Sequence, residues 1–246
     1  MNPEPPLWRL PDAPLRASVF TSQLIGLAAV VALGNAARAG LPLGDKFVLK
    51  ASGLFAAIAS ASVGFLQQHH PFPGFGGANH VTTARAVLVT LIAGLVGEDA
   101  QPVLAWAAVA ASVTVTMLDG VDGWLARRSG FASRLGGRFD LETDALLILA
   151  LSILAWTFDK AGAWVILSGL LRYGFVAAGT VATWLRGQLP PSRRRQAICV
   201  VQIAGLTLAM VPAVTPPVST MLAAIALAAL CYSFLVDTLW LWHHRV

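Results

Sequence analysis

Charged residues are scarce in this chain of 246 residues: Asp, Glu, Lys and Arg make up only 12% of it, while 57% is hydrophobic. A soluble domain of this size usually carries about twice that charged fraction. The mean hydropathy of +0.70 points the same way. The scarcity of charge excludes an ordinary soluble domain and places most of the chain in a lipid bilayer.

Cysteine is nearly absent, since the chain has only two. Cys199 and Cys231 both fall in apolar segments, which favours buried thiols and gives neither a disulfide framework nor a zinc-binding spacing. The net charge of +5 and the pI near 9.9 could indicate a nucleic-acid partner. In so apolar a chain they instead indicate basic loops that face anionic lipid headgroups, so we expect no nucleic acid.

The apolar residues form eight runs, each near the length of a membrane-spanning helix. The runs cover residues 17–37, 46–66, 81–97, 102–118, 138–157, 162–184, 197–212 and 216–242. Several breaks between them, such as "GEDAQP", "LPPS" and "VPAVTPP", contain the Gly and Pro of tight turns. The pattern predicts an all-α polytopic membrane protein with about eight spans.

The basic residues predict the orientation of these spans. With an even number of spans both termini lie on one side, and that side holds most of the 17 Lys and Arg residues. The other side keeps Arg38, Lys46, Lys50 and Lys160. Because basic loops stay in the cytoplasm, we expect both termini to face it.

The stretch "DGVDGWLARRSGFASRLGGRFDLETD", residues 119–144, places acids beside apolar runs. Asp119 and Asp122 are three residues apart and Asp140 and Asp144 four apart, so each pair shares a helix face. Four carboxylates in one helical hairpin would repel one another. Two bridging divalent cations remove that repulsion, and magnesium held in this way usually also binds phosphate oxygens. The sequence therefore indicates a metal site for a phosphorylated substrate, on the cytoplasmic side.

Other readings of the acids remain open at this point. A single intramembrane aspartate often pairs with an arginine, and a helically spaced pair can form an ion pathway. A cation transporter would therefore also explain the four acids. It would not explain why the small residues Gly123, Ala126 and Gly136 lie on the same faces, where they leave room for a ligand.

The spacing D-x2-D-G-x2-A-R-x8-G-x3-D-x3-D resembles the signature of the CDP-alcohol phosphatidyltransferase family. It is filled in order by Asp119, Asp122, Gly123, Ala126, Arg127, Gly136, Asp140 and Asp144. Upstream, "NHVTTAR" resembles a short stretch of the same enzymes and adds Asn79, Thr82 and Arg85. The resemblance implies a six-helix core over residues 79–246. Residues 1–78 would be a leader and two extra transmembrane helices.

The resemblance also implies an activity and roles for these residues. Such enzymes transfer a phosphatidyl or similar group from a CDP-linked donor, here most simply CDP-diacylglycerol, to an acceptor hydroxyl and release CMP. By similarity, Asp119, Asp122, Asp140 and Asp144 would hold two Mg²⁺ ions, or Mn²⁺, and Asp144 would also accept the proton of the hydroxyl. The implied CDP-binding set is Asn79, Thr82, Asp119, Gly123, Ala126, Arg127 and Gly136. A homodimer in the cell inner membrane, in contact with membrane lipids, is implied as well.

Basic residues after the sixth run suggest the acceptor. Arg172 lies inside an apolar span, and "SRRRQAICVVQ" brings Arg193, Arg194 and Arg195 to the start of the next. That stretch resembles a segment of phosphatidylglycerophosphate synthases, which favours a phosphorylated acceptor such as glycerol 3-phosphate. An inositol phosphate, serine, choline and phosphatidylglycerol stay open as acceptors.

Overall fold

The computed structural model describes residues 13–64, 75–129, 134–187 and 189–245. The described residues form α-helices, short 3₁₀ segments, turns and bends, without β-strands. The α-helices are α1 (Ala13–Gly40), α2 (Phe47–Gly64), α3 (Gly77–Gly94), α4 (Pro102–Ser129), α5 (Arg134–Thr157), α6 (Leu167–Val181), α7 (Arg193–Met210) and α8 (Val218–His243). The predicted all-α polytopic fold is confirmed.

Four segments in the described part of the chain are long and apolar enough to cross a bilayer: Leu15–Gly40, Pro102–Leu125, Ala163–Val181 and Val218–His243. A shorter apolar helix covers Phe47–Ala61. The count of eight spans therefore stays a prediction. Helices α5 and α7 are not in this set: Asp140 and Asp144 lie within the first three turns of α5, and the arginine run occupies the first turn of α7. Leu24, Met117 and Ile225 are more than half exposed, as expected where lipid surrounds a helix. The chain is an integral membrane protein.

The chain divides into two compact units. The first contains residues up to Glu98 together with Thr114–Thr143, and the second contains Asp99–Val113 and Asp144–Val246. In the first unit, α1, α2 and α3 pack on one another. Their core includes Val30, Phe55 and Val87, together with Phe139 of α5. This packing fixes α3, and α3 carries the first residues of the candidate site.

In the second unit, α7 packs along α8. A Cβ atom at Gly205 would lie 2.9 Å from the Cβ of Ala226, so glycine lets these two helices approach closely. At one end of the unit, the ammonium of Lys160 donates to the carbonyl oxygens of Val211, at 3.0 Å, and Val214, at 2.8 Å. These bonds satisfy carbonyls that follow the last turn of α7. Burial lowers the pKa of Lys160.

Candidate active site

Two acidic pairs lie on α4 and α5. Asp119 and Asp122 fall in the last three turns of α4, which continues to Ser129, well past the apolar run that ends at 118. Asp140 and Asp144 lie in the second and third turns of α5. Because both segments are helical, the spacing of three and of four residues puts each pair on one helix face, as the sequence predicted.

Arg85 of α3 is the cation at the centre of this site. It is fully buried, and its guanidinium contacts three aspartates. Nη2 lies 2.8 Å from Asp119 Oδ1, Nη1 donates to Asp122 Oδ2 at 2.7 Å, and Nη1 also donates to Asp140 Oδ1. A planar guanidinium suits this arrangement because its N–H groups point in several directions in one plane. The three acids and Arg85 form one ionic cluster within the first unit.

The burial of the cluster differs from one acid to the next. The Asp122 side chain is 7% exposed, whereas those of Asp119 and Asp140 are 38% and 39% exposed. Asp122 depends most on its partners, because a buried carboxylate without hydrogen bonds is costly. Besides Arg85, Asp122 has a second hydrogen-bond partner, because the Thr82 hydroxyl donates to Asp122 Oδ2 at 3.1 Å. Thr82 and Arg85, three residues apart on α3, thus reach the same acid.

The charge balance of this cluster leaves room for a divalent cation. Among the described contacts, one guanidinium faces three carboxylates, which leaves an excess of negative charge within this set of four residues. A carboxylate oxygen of Asp119 lies within 4.8 Å of a carboxylate oxygen of Asp140. Along α5, a carboxylate oxygen of Asp140 lies within the same distance of one of Asp144. Carboxylate oxygens at such separations are the ligands that Mg²⁺ and Mn²⁺ prefer. The donor set therefore fits a divalent metal, and Asp119 and Asp140 have exposed surface to receive it.

The remaining residues predicted for CDP binding lie on the same three helices. Asn79 is buried at the start of α3, and its amide donates to the carbonyl oxygen of Phe75. Gly123 follows Asp122 on α4, and Gly136 precedes Asp140 by one turn on α5; both are partly exposed. Ala126 and Arg127 continue α4, but their side chains lie outside the described part of the structure.

Asp144 belongs to the second unit, and its contact with Cys199 there was not predicted from the sequence. Cys199 of α7 lies with Sγ 3.6 Å from Asp144 Oδ2, so the thiol can donate a weak hydrogen bond to the carboxylate. The sequence suggested only a buried thiol at position 199. Cys199 is partly exposed instead, and Cys231 is exposed, so burial was the wrong expectation for both. Apolar helices that face lipid leave such side chains uncovered by protein.

The basic residues predicted for the acceptor are only partly brought together. Arg194 and Arg195 both reach Asp237 Oδ1 of α8, through Nη2 at 2.5 Å and Nη1 at 3.2 Å respectively. Arg193 is exposed at the start of α7, and Arg172 is partly buried in the second turn of α6. Asp237 itself is 8% exposed.

Sequence reasoning missed Asp237, although a signal was present. It is the acid in the last apolar run, and an intramembrane carboxylate implies a cationic partner. The sequence alone does not say which of several arginines that partner is. Arg85 was recognised, but only through the resemblance of "NHVTTAR", and its contact with three aspartates was not foreseen.

The all-helical membrane fold and the carboxylate cluster on α4 and α5 together mark a functional site within a membrane protein. The family model of the CDP-alcohol phosphatidyltransferases matches residues 76–236. Neither the comparison with curated proteins nor that with solved structures gives a match. Because the matched region covers well over half of the chain, the protein belongs to the CDP-alcohol phosphatidyltransferase family, as the sequence indicated. Membership implies phosphatidyl transfer from a CDP-alcohol to an alcohol acceptor, and the family typically uses a divalent metal.

Proposed function

We propose that the protein transfers a phosphatidyl group from CDP-diacylglycerol to an acceptor hydroxyl in phospholipid biosynthesis. The acceptor oxygen forms a bond to the phosphorus that carries the diacylglycerol. The bond from that phosphorus to the bridging oxygen of the diphosphate breaks, and CMP leaves with this oxygen. The observation that carries the proposal is the cluster of Asp119, Asp122 and Asp140 around one buried cation, in a chain of this family.

Residues of α3, α4 and α5 would bind the donor. Asp119, Asp122, Asp140 and Asp144 would hold two magnesium ions. Bound metal would supply positive charge for the diphosphate and for departing CMP. The nucleotide would lie against Asn79, Thr82, Asp119, Gly123, Ala126, Arg127 and Gly136. The excess of negative charge in the cluster supports a metal-bridged diphosphate, because a bare diphosphate would be repelled.

Asp144 would accept the proton of the attacking hydroxyl. It follows Asp140 by one turn on α5, and its Oδ2 lies beside the weakly polar thiol of Cys199. A carboxylate at this position, one turn beyond the acids of the cluster, is a suitable proton acceptor for a hydroxyl placed beside it. Asp122 has different surroundings, because its Oδ2 accepts from Arg85 and Thr82 inside the ionic cluster. The difference supports separate roles for the two acids.

The acceptor would carry a phosphate, with glycerol 3-phosphate as the simplest candidate. Arg194 and Arg195 share one carboxylate, so positive charge remains in excess around Asp237. Arg194 Nη1 is buried and has no hydrogen-bond partner among the described residues. An unsatisfied buried donor costs about 1–3 kcal/mol, and a phosphate oxygen would remove that cost. Arg172 and Arg193 would complete the acceptor set.

The test is a screen of acceptors with purified protein, CDP-diacylglycerol and magnesium, following CMP release. Glycerol 3-phosphate, an inositol phosphate, serine, choline and phosphatidylglycerol are compared. We expect magnesium-dependent CMP release with a phosphorylated acceptor. Release with choline or serine alone would reassign the acceptor. Cation flux into proteoliposomes without any effect of nucleotide would instead favour a transporter.

Variants of the acids test the metal site. Asp119→Asn, Asp122→Asn and Asp140→Asn should each nearly abolish transfer, since each removes a charged ligand with little change in volume. Asp45→Asn is the matched control: this acid is 98% exposed and pairs with Arg38, so activity should be unchanged. Near-normal turnover by two of the three site variants at saturating magnesium would contradict the metal assignment.

A further inference from the structure

Helix α1 lies outside the region that the family model matches, which begins at residue 76. It packs on α3 in a parallel arrangement. The backbone N–H of Phe75 donates to Ser18 Oγ at 3.4 Å, and Ser22 Oγ lies 3.0 Å from His80 Nδ1. A Cβ atom at Gly26 would lie 3.1 Å from Thr83 Cγ2 and 2.4 Å from the ring of Phe55, so a larger residue here would have to displace that buried ring. The two helices therefore run side by side in register.

A cavity of about 480 Å³ lies between α1 and α3. This volume is in the range of small-molecule binding sites, about 300–1,000 Å³. Its lining changes character along the helices. One end is polar and the other is apolar. The polar end has Ser18, Thr21, Ser22 and His80, and the apolar end has Ile25, Ala29, Ala84 and Val87.

The cavity is separate from the aspartate cluster. Thr82 and Arg85 point from α3 to the acids, whereas His80, Thr83 and Val87 line the cavity. Successive residues of an α-helix are about 100° apart, so positions two residues apart face nearly opposite directions. A donor held by its diphosphate at the acids would have to pass around α3 to enter the cavity.

The surroundings of the cavity determine what can fill it. Leu15–Gly40 of α1 is a candidate membrane span, and Leu24 and Ile25 are each 65% exposed. A cavity whose apolar end opens beside such a helix is bordered by hydrocarbon chains. Water would be unfavourable at that end, because it offers few polar partners. A hydrocarbon chain would fill the apolar end at little cost.

The polar end supplies one hydrogen-bond donor in either tautomer of His80. When the Ser22 hydroxyl donates to His80 Nδ1, the Nε2–H of the ring is left as a donor. When the Nδ1–H of His80 donates to Ser22, the hydroxyl proton of Ser22 is left as a donor instead. A carbonyl oxygen of a fatty-acid ester accepts such a bond. We propose that the cavity holds one acyl chain of a membrane glycerolipid, with its ester at Ser22 and His80. This lipid is resident and distinct from the donor.

Photolabelling tests the proposal on the full chain in nanodiscs. The probe is phosphatidylcholine with a diazirine in the middle of one acyl chain, and labelled peptides are mapped. Label should concentrate on residues 25–29 and 84–87. Ala29→Phe fills the apolar end and should lower that labelling about tenfold, which corresponds to roughly 1.4 kcal/mol of binding. Ala28→Phe is the matched control, since Ala28 is the exposed neighbour and does not line the cavity.

Two results would overturn the proposal. Equal labelling of the two phenylalanine variants would show that the chain binds elsewhere on α1. Displacement of the label by excess CDP-diacylglycerol would assign the cavity to the donor. If Ala29→Phe fails to elute as folded protein, Ala84→Phe fills the same end from α3 and decides the question. Because labelling needs no turnover, its outcome is independent of the proposed reaction.

Discussion

Replacing Arg85 with methionine removes the one cation that the structure places among three aspartates while keeping an unbranched side chain of similar length. Removing one partner of a buried ion pair costs about 3–5 kcal/mol, because the other charge stays buried without compensation. This applies to Asp122, whose side chain is 7% exposed. The pairs with Asp119 and Asp140 are more than a third exposed on the acid side, so each adds less than about 1 kcal/mol.

The expected loss is therefore about 3–5 kcal/mol in metal-free buffer, governed by the pair with Asp122. For a domain of this size, a loss of 1 kcal/mol lowers the melting temperature by roughly 2–4 °C. Arg85→Met should thus unfold about 6–20 °C below the wild type in EDTA. The measurement is the apparent midpoint of thermal unfolding of detergent-purified protein, followed by tryptophan fluorescence.

Magnesium should reduce this difference. A divalent cation bound to the acids would replace part of the charge that Arg85 supplied. Magnesium should therefore raise the midpoint of thermal unfolding more for the variant than for the wild type. Arg85→Lys should be intermediate, because an ammonium cannot reach three carboxylates as a planar guanidinium does. Arg38→Met is the matched control, since its partner Asp45 is 98% exposed and the pair should contribute little.

The reasoning would be refuted if Arg85→Met unfolded at the wild-type temperature in EDTA. That result would mean that the three acids need no counter-charge, either because water reaches them or because they are protonated. An equal loss in Arg38→Met would also refute it, since the effect would then not depend on burial.

Three further outcomes are expected. Asp144→Asn should lower turnover about 10²–10⁴-fold while CDP-diacylglycerol still binds, and loss of donor binding would make Asp144 a metal ligand only. Arg172→Ala should raise the acceptor KM far more than the donor KM, with inorganic phosphate competing against the acceptor; equal effects on both would argue for a purely structural arginine. Burial opposes the charge of Glu98, but hydrogen bonds from Lys50 and the Gly44 N–H outweigh it and hold the pKa of Glu98 below its ordinary 4.5. Glu98→Gln should thus be less stable than wild type at pH 7, and the two should converge as the pH falls below about 4.5, which midpoints measured from pH 7 to 3.5 would check.

The fold class and the family could be read from the sequence because their signals are local. Apolar runs reveal contact with lipid wherever they occur, and the spacing of Asp119, Asp122, Asp140 and Asp144 has meaning within single helices. Hydropathy did not reveal where the helices end. The apolar run at 102–118 stops before Asp119, yet α4 continues to Ser129, because polar side chains remain helical beyond the bilayer core.

The partners of the charged residues were decided by tertiary structure alone. Arg85 is separated by 37 residues from Asp122 and by 55 from Asp140, and only the packing of α3 brings its guanidinium to both. Arg194 meets Asp237 from another helix in the same way. Helical periodicity fixes which residues share a face, but not which faces meet, since that depends on how side chains interlock between helices. The sequence showed that acids beside apolar runs need positive charge near them, and the packing of the helices selected the arginines that supply part of it.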